Sequence, residues 1–368
     1  MKKPGRLSAL AMEMLRLMLI PAALIADERP RWTITGDLRL RAESDWSSTA
    51  PDGSERADRN RLRARARLAM DWRVSNLLTA TGRLRTGHPQ SQQSPHITLV
   101  PRSGETRPGL LIDRLFIGAE WRRADWCVGR CGHPFWLQNE LLFDDDLFWD
   151  GITVILDSDR GTLRAMTAFV PDGDANLDLT DRGVILGAQY VTNLRGMTVG
   201  IGFNRIEDPS GAANPVLLDE DSSIWSLSAR HAFQLGAGPL TLGLDLMHNS
   251  DSPSPEHSLA DEREGIVVSA TLGKPNAPGD WQVGMYWARI EKFAVVPYLA
   301  QDDWVRWGSA TQTRSSNFEG TELRAVRRIS TDLDFVFRLY LVKGIEPESP
   351  VSAKEDGNRA RLDLNWKF

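Results

Sequence analysis

From Trp32 to the end of the chain, apolar and polar residues alternate in segments of roughly 10 to 15 residues, the signature of half-wetted strands. In the segment that begins at Trp32, Ile34, Leu38 and Leu40 share one parity. Thr33, Thr35, Asp37, Arg39, Arg41 and Glu43 share the other. A period of two sends these sets to opposite faces of a β-strand. The next segment is sharper: Leu62, Ala64, Ala66, Leu68, Met70 and Trp72 alternate with Arg61, Arg63, Arg65, Arg67, Asp71 and Arg73. A helix would scatter those arginines around its circumference. The pattern returns in Leu240, Leu242, Leu244 and Leu246 against Thr241, Gly243 and Asp245, and in Leu333, Phe335, Phe337 and Leu339 against Asp334 and Arg338. It closes the chain, with Leu362, Leu364, Trp366 and Phe368 against Arg359, Arg361, Asp363, Asn365 and Lys367. A soluble sandwich also alternates, so one segment decides little.

The connections decide more. The alternation predicts strands near 32–46, 61–74, 77–87, 111–123, 126–136, 148–159, 162–171, 182–193, 197–208, 222–236, 239–250, 263–275, 281–294, 316–330, 332–345 and 358–368, an even sixteen. Tight gaps fall at Ser75-Asn76, Ala124-Asp125, Arg160-Gly161, Leu194-Arg195-Gly196, Ala237-Gly238 and Thr331. Long ones fall at 47–60, 88–110, 137–147, 172–181, 209–221, 251–262, 295–315 and 346–357. Short turns at one end and long loops at the other predict an all-β fold, a transmembrane up-and-down antiparallel β-barrel of about sixteen strands. An eleven-residue strand reaches roughly 36 Å and, tilted by about 45°, covers the roughly 25 Å apolar band of an outer membrane.

Composition is compatible with this. Hydrophobic residues are 41% and charged residues 25%, which looks soluble, but half of every barrel strand faces water. There are 13 Trp and 12 Phe against 4 Tyr, and many of these rings stand near segment ends, where interfacial girdles form. A soluble chain of 368 residues would divide into two or three domains, because single cores rarely exceed roughly 250 to 300 residues. A barrel escapes that limit.

Residues 1–26 carry Lys2, Lys3 and Arg6, then the apolar run Leu17 to Ala26, broken by Pro21, before Asp27-Glu28-Arg29. This is the layout of a secretory signal peptide, with cleavage expected after Ala26 although Leu24 departs from the small residue preferred there. A short membrane anchor is the competing reading; the run is shorter than the roughly 20 residues a spanning helix needs. The barrel is then 27–368. The formal net charge is −5; the first 26 residues hold +3, and removing that leaves −8, with no nucleic-acid footprint. Cys127 and Cys131 lie four apart in an expected strand, where they would be separated by roughly 13 Å, beyond the roughly 7 Å limit for a disulfide. They read as small apolar wall residues. No second Cys pair or His pair completes a metal site.

The residues Gly36-Asp37-Leu38-Arg39-Leu40-Arg41, Asp113-Arg114-Leu115-Phe116-Ile117-Gly118, and Gly129-Arg130-Cys131-Gly132-His133-Pro134-Phe135-Trp136 running on to Glu140-Leu141-Leu142-Phe143-Asp144-Asp145-Asp146-Leu147 resemble the bacterial putative-porin family of outer-membrane proteins. Cys131 and His133 depart from the family's apolar residue and Asn, at wall and rim positions. The resemblance implies a water-filled channel in the bacterial outer membrane for passive diffusion of small hydrophilic solutes or ions, with no cofactor and no catalysis. Its partners are outer-membrane lipid and small solutes, with a homotrimer as the common assembly of sixteen-stranded porins. The terminal Phe368, in phase with Trp366 and Leu364, resembles the carboxy-terminal signature read by the barrel assembly machinery.

Charges in a wet lumen set which solutes pass. If the barrel closes, the first, second, third and last segments are neighbours, and their polar faces bring together Arg39, Arg41, Arg61, Arg63, Arg65, Arg67, Arg83, Arg85, Arg359 and Arg361. The loop 137–147 carries Glu140, Asp144, Asp145 and Asp146. In sixteen-stranded porins the corresponding loop commonly folds inward, which would oppose these acids to the arginines at a constriction. Two plainer readings compete: the arginines pair with Asp37, Glu43, Asp71 and Asp363 to hold strands together, or the acidic triplet binds calcium in an exposed loop. An enzyme is disfavoured, because His88, His96, His133, His231, His248 and His257 fall mostly in loops or at strand ends, with no G-x-S-x-G or H-E-x-x-H pattern. A barrel acting as scaffold or sheath for a partner protein and a secreted β-sandwich binding protein are the remaining alternatives.

Overall fold

The computed structural model describes residues 31–87, 95–99, 109–170, 183–207, 221–251, 257–297, 299–305 and 315–368. The expected signal peptide and the loop segments 172–181 and 209–220 lie outside them. Sixteen long strands make the wall: β1 (Arg31–Trp46), β4 (Arg59–Arg73), β5 (Leu78–Gly87), β7 (Gly109–Trp121), β8 (Ala124–Gly132), β9 (Phe148–Ser158), β10 (Gly161–Phe169), β11 (Val184–Leu194), β12 (Met197–Glu207), β13 (Ser222–Leu235), β14 (Gly238–Asn249), β15 (Glu264–Gly273), β16 (Trp281–Ile290), β17 (Phe318–Arg328), β18 (Leu333–Gly344) and β19 (Asp356–Lys367). The short β2 (Ser48–Thr49), β3 (Glu55–Arg56) and β6 (Ile97–Thr98) decorate the first two long loops.

Each wall strand pairs antiparallel with the next along the chain, and β19 returns to pair with β1, from Asp37↔Lys367 to Trp46↔Asn358. The Phe368 amide and carbonyl extend that seam through hydrogen bonds with Gly36 at 3.0 and 2.9 Å. Closure removes the free edges that lipid cannot satisfy. No helix among the described residues is long and apolar enough to cross a membrane.

Parity sorts the side chains as the alternation predicts. On β4, Leu62, Leu68, Met70 and Trp72 are exposed on the outside, while Arg65 between them is buried. Exposed aromatic rings collect beside the short turns: Trp32 stacks on Trp72 with centroids 5.3 Å apart, and Trp121, Phe233, Trp281, Trp366 and Phe368 stand at the same end. That belt suits a membrane interface. The tight turn between β11 and β12 uses Arg195 and Gly196 at φ 55° and 86°, both left-handed, as a two-residue hairpin of matching twist requires.

Two expectations need correction. The hairpin placed at Ala124-Asp125 turns at Arg122-Arg123 instead, with Arg122 at φ 56°, and the following strand stops at Gly132 rather than running to 136. Pro134, without an amide hydrogen, suits that early exit from the ladder. The second concerns the cysteines: Cys127 and Cys131 form a disulfide, with Cα atoms 6.1 Å apart. The spacing argument assumed a uniformly extended strand. Gly129, midway between them, has φ 122°, and a Cβ there would sit 2.5 Å from the Leu115 carbonyl oxygen. The chain is contracted around that glycine, and an oxidising compartment lets the bond persist.

Candidate functional site

The loop between β8 and β9 turns into the barrel and crosses its interior. Gln189 on β11 clamps its start: the Trp136 amide donates to Gln189 Oε1 at 2.7 Å and Gln189 Nε2 donates to the Trp136 carbonyl at 3.0 Å. Arg230 lies over the Trp136 ring at 5.3 Å. Farther on, Gln138 Nε2 donates to the carbonyls of Ala229 and Leu244 and to Asp245 Oδ1, and Asn139 Nδ2 donates to Asp245 Oδ2 at 2.6 Å. Leu141, Phe143 and Leu147 are then buried against inward side chains such as Ile185, Ile206, Ile224 and Met247. Each apolar side chain so buried contributes about 1.5–3 kcal/mol, so the docked course is strongly held.

A second loop, after β16, also folds inward. Val295, Val296, Leu299 and Ala300 join the same apolar cluster, and Trp304 packs on Phe318 and Tyr340 with centroids 5.8 and 5.6 Å away. The two loops bind one another: the Asp144 amide donates to the Leu299 carbonyl at 2.8 Å, the Gln301 amide to the Glu140 carbonyl at 2.9 Å, and the Gln301 side chain to the Glu140 carboxylate.

The arginines expected on neighbouring strands are brought together, and nearly all meet carboxylates. Arg41 binds Asp363 at 2.6 Å and approaches Asp303 at 3.7 Å, and Arg359 binds Asp45 at 2.6 Å. Arg361 pairs with Asp303 and with Asp363 at 3.2 Å; Arg61 pairs with Glu43, and Arg63 lies 3.6 Å from the same carboxylate. Arg65 and Arg67 share Asp37 at 2.8 and 2.6 Å. Arg83 binds Asp113 at 2.7 Å, with Arg85 3.8 Å from it. Arg39 instead donates to the Asn365 side chain at 2.5 Å. Of the four acids expected as partners, Asp37, Glu43 and Asp363 serve, whereas Asp71 accepts from the Thr81 hydroxyl. The expected surplus of arginine is therefore largely absorbed by Asp45, Asp113 and Asp303, which parity alone did not single out.

The acidic loop reaches this wall. Asp146 lies 3.5 Å from Arg65 and 2.8 Å from Arg67, and its carbonyl accepts from Arg85 at 3.3 Å. Burial pushes the Asp146 carboxyl up, but Arg65, Arg67 and Arg85 outweigh it and hold the group at about 2. Glu140 behaves oppositely, pushed up to about 8 by burial and the charge of Asp145. A cavity of about 30 Å³ is lined by Glu140, Asp144, Asp145 and Asp146 of the first loop, by Asp302 and Asp303 of the second, and by Arg39, Arg41, Arg338, Arg361 and His96. Arg61, Arg63, Arg65, Arg67, Arg83, Arg85 and Arg359 do not line it; they stand along the wall around it.

Residues 39–177 match the family described as putative porin. The fold matches solved porin barrels. A mutant porin of Rh. blastica superposes with TM-score 0.51 at 12% identity, over 92% of this chain and all of that one. OmpF of Salmonella typhi in complex with daunomycin gives 0.55 at 10% identity over 92% and 97% of the two chains. OprB of Pseudomonas putida at high pH gives 0.56 at 11% identity over 92% and 94%. No curated protein matches the sequence. Identities this low carry the architecture alone.

Proposed function

We propose that this outer-membrane barrel, whose residues 39–177 match the putative-porin family, is a porin passing small hydrophilic solutes or ions by passive diffusion. In this reading its bore is narrowed where the acidic loop faces the arginine wall, and a transverse field there selects by charge. The observation that carries it is Asp146, a loop carboxylate bound to Arg65 and Arg67 on the wall strand β4. A loop held across a barrel by apolar burial at one end and ion pairs at the other is a built constriction. Export by residues 1–26, assembly through the strand ending in Phe368, and a homotrimer belong to the same reading. It has no catalytic step.

The test is electrical. Purified protein in planar bilayers conducts, and replacing Asp144, Asp145 and Asp146 together by Asn moves the reversal potential in a salt gradient toward anion preference. An unmoved reversal potential removes the constriction assignment. A barrel that does not conduct at all favours the scaffold or sheath instead.

A further inference from the structure

Asp144 is a buried carboxylate inside the barrel. Its side chain is 4% exposed, and Oδ1 accepts from the Asp146 amide at 2.8 Å. Among the described residues the other oxygen has no donor and the carboxylate has no basic partner. The charges that act on it most are Asp145, Asp146, Glu140 and Asp302, every one negative. A buried carboxylate in such company takes up either a proton or a cation.

The surroundings favour a cation. Asp144, Asp145 and Asp146 each offer an oxygen within 4.8 Å of the others. All three line the cavity of about 30 Å³, which is room for one ion or one water. The arginines that line it have other partners: Arg41 binds Asp363, Arg361 binds Asp303, Arg39 donates to Asn365, and Arg338 lies 4.0 Å from Asp303. Arg65 and Arg67 reach Asp146 but no other member of the triplet. At longer range Arg39, Arg65 and Arg67 also act on Asp145, so the charge left over is that of Asp144.

We propose that Asp144, Asp145 and Asp146 bind a divalent cation of the calcium class at the cavity they line. An all-oxygen donor set of clustered carboxylates selects a hard ion, and calcium tolerates irregular coordination better than magnesium does. Asp302 and Asp303 border the same cavity from the second loop, so the ion ties the two inward loops together. Its binding stands apart from the channel reading; only its effect on ion flow rests on that reading.

The direct test is calorimetric titration of calcium chloride into the folded, detergent-solubilised barrel after stripping with EDTA. Saturable uptake is expected. It is lost in Asp144→Asn, weakened at least about tenfold in Asp145→Asn, and unchanged in Asp159→Asn on a short turn. Asp145 is exposed, so its variant carries the test should Asp144→Asn fail to fold. No saturable uptake by the native protein, or uptake unaltered in both variants, overturns the site. In bilayers, calcium moves the reversal potential toward anions in the native protein and leaves Asp145→Asn unmoved. A conducting barrel indifferent to calcium refutes the site and spares the channel; a barrel that binds calcium without conducting does the reverse.

Discussion

His133 shows how much one side chain reports on the inward loop. Its Nδ1 accepts from the Trp149 indole at 3.0 Å, so the ring hydrogen sits on Nε2. Phe135 and Phe143 pack against the ring with centroids 5.0 and 4.6 Å away. Burial, and then the charge of Arg114, push its pKa down from the usual 6.5 to about 3. A ring held neutral where a free imidazole would gain a proton makes acid oppose the docked loop. That support is complete above about 6.5 and is lost as the pH falls through about 3. Histidine-labelled protein should show His133 not titrating between pH 8 and 4; titration of His133 near 6.5 would mean that the aromatic box is not closed. At this scale the sequence was readable in part. Parity put the ten arginines on the polar faces of their strands, and the loop 137–147 carried its acids in plain view. Partners such as Asp113 and Asp303 depend on register and loop course, which parity leaves free. His96, Asp302, Asp303 and Arg338, all at the central cavity, were missed for the same reason.

Among the elements, β8 and the two inward loops depart furthest from simple alternation. The disulfide across Gly129 was illegible because the expectation multiplied a constant rise per residue, and a single glycine at φ 122° breaks that rule. Gly129→Ala should be costly, since its Cβ would meet the Leu115 carbonyl oxygen at 2.5 Å in a conformation L-residues avoid. A loss of roughly 1–3 kcal/mol is expected from strain of this kind, read as a lower urea midpoint in detergent or lipid vesicles. A midpoint equal to the native one would show that β7 and β8 tolerate the change. The inward loops did leave a trace in the sequence. Leu141-Leu142-Phe143 and Val295-Val296 are apolar runs inside connections that should be polar, and all of these side chains are buried. Alternation cannot say where such a run docks, but it does say that the run must leave water.

For the whole molecule, the even strand number, the unequal connections and the closing pair of first and last strands were legible, because each follows from period-two patterning and the need to eliminate edges. The same sorting sets the energetics of substitution. Leu68 points outward and is exposed, whereas Ala69, paired with Arg83 on β5, points inward. Leu68→Arg should cost about 2–4 kcal/mol of folding free energy in lipid vesicles, and Ala69→Arg far less. Equal costs would mean that the outer face is not lipid-facing.

The latch of Gln138 and Asn139 onto Asp245 has a consequence for how such proteins diversify. If the crosspiece sets the aperture as proposed, a lineage can retune permeability by exchanging that one insert while the staves, their order of assembly and the seam stay as inherited.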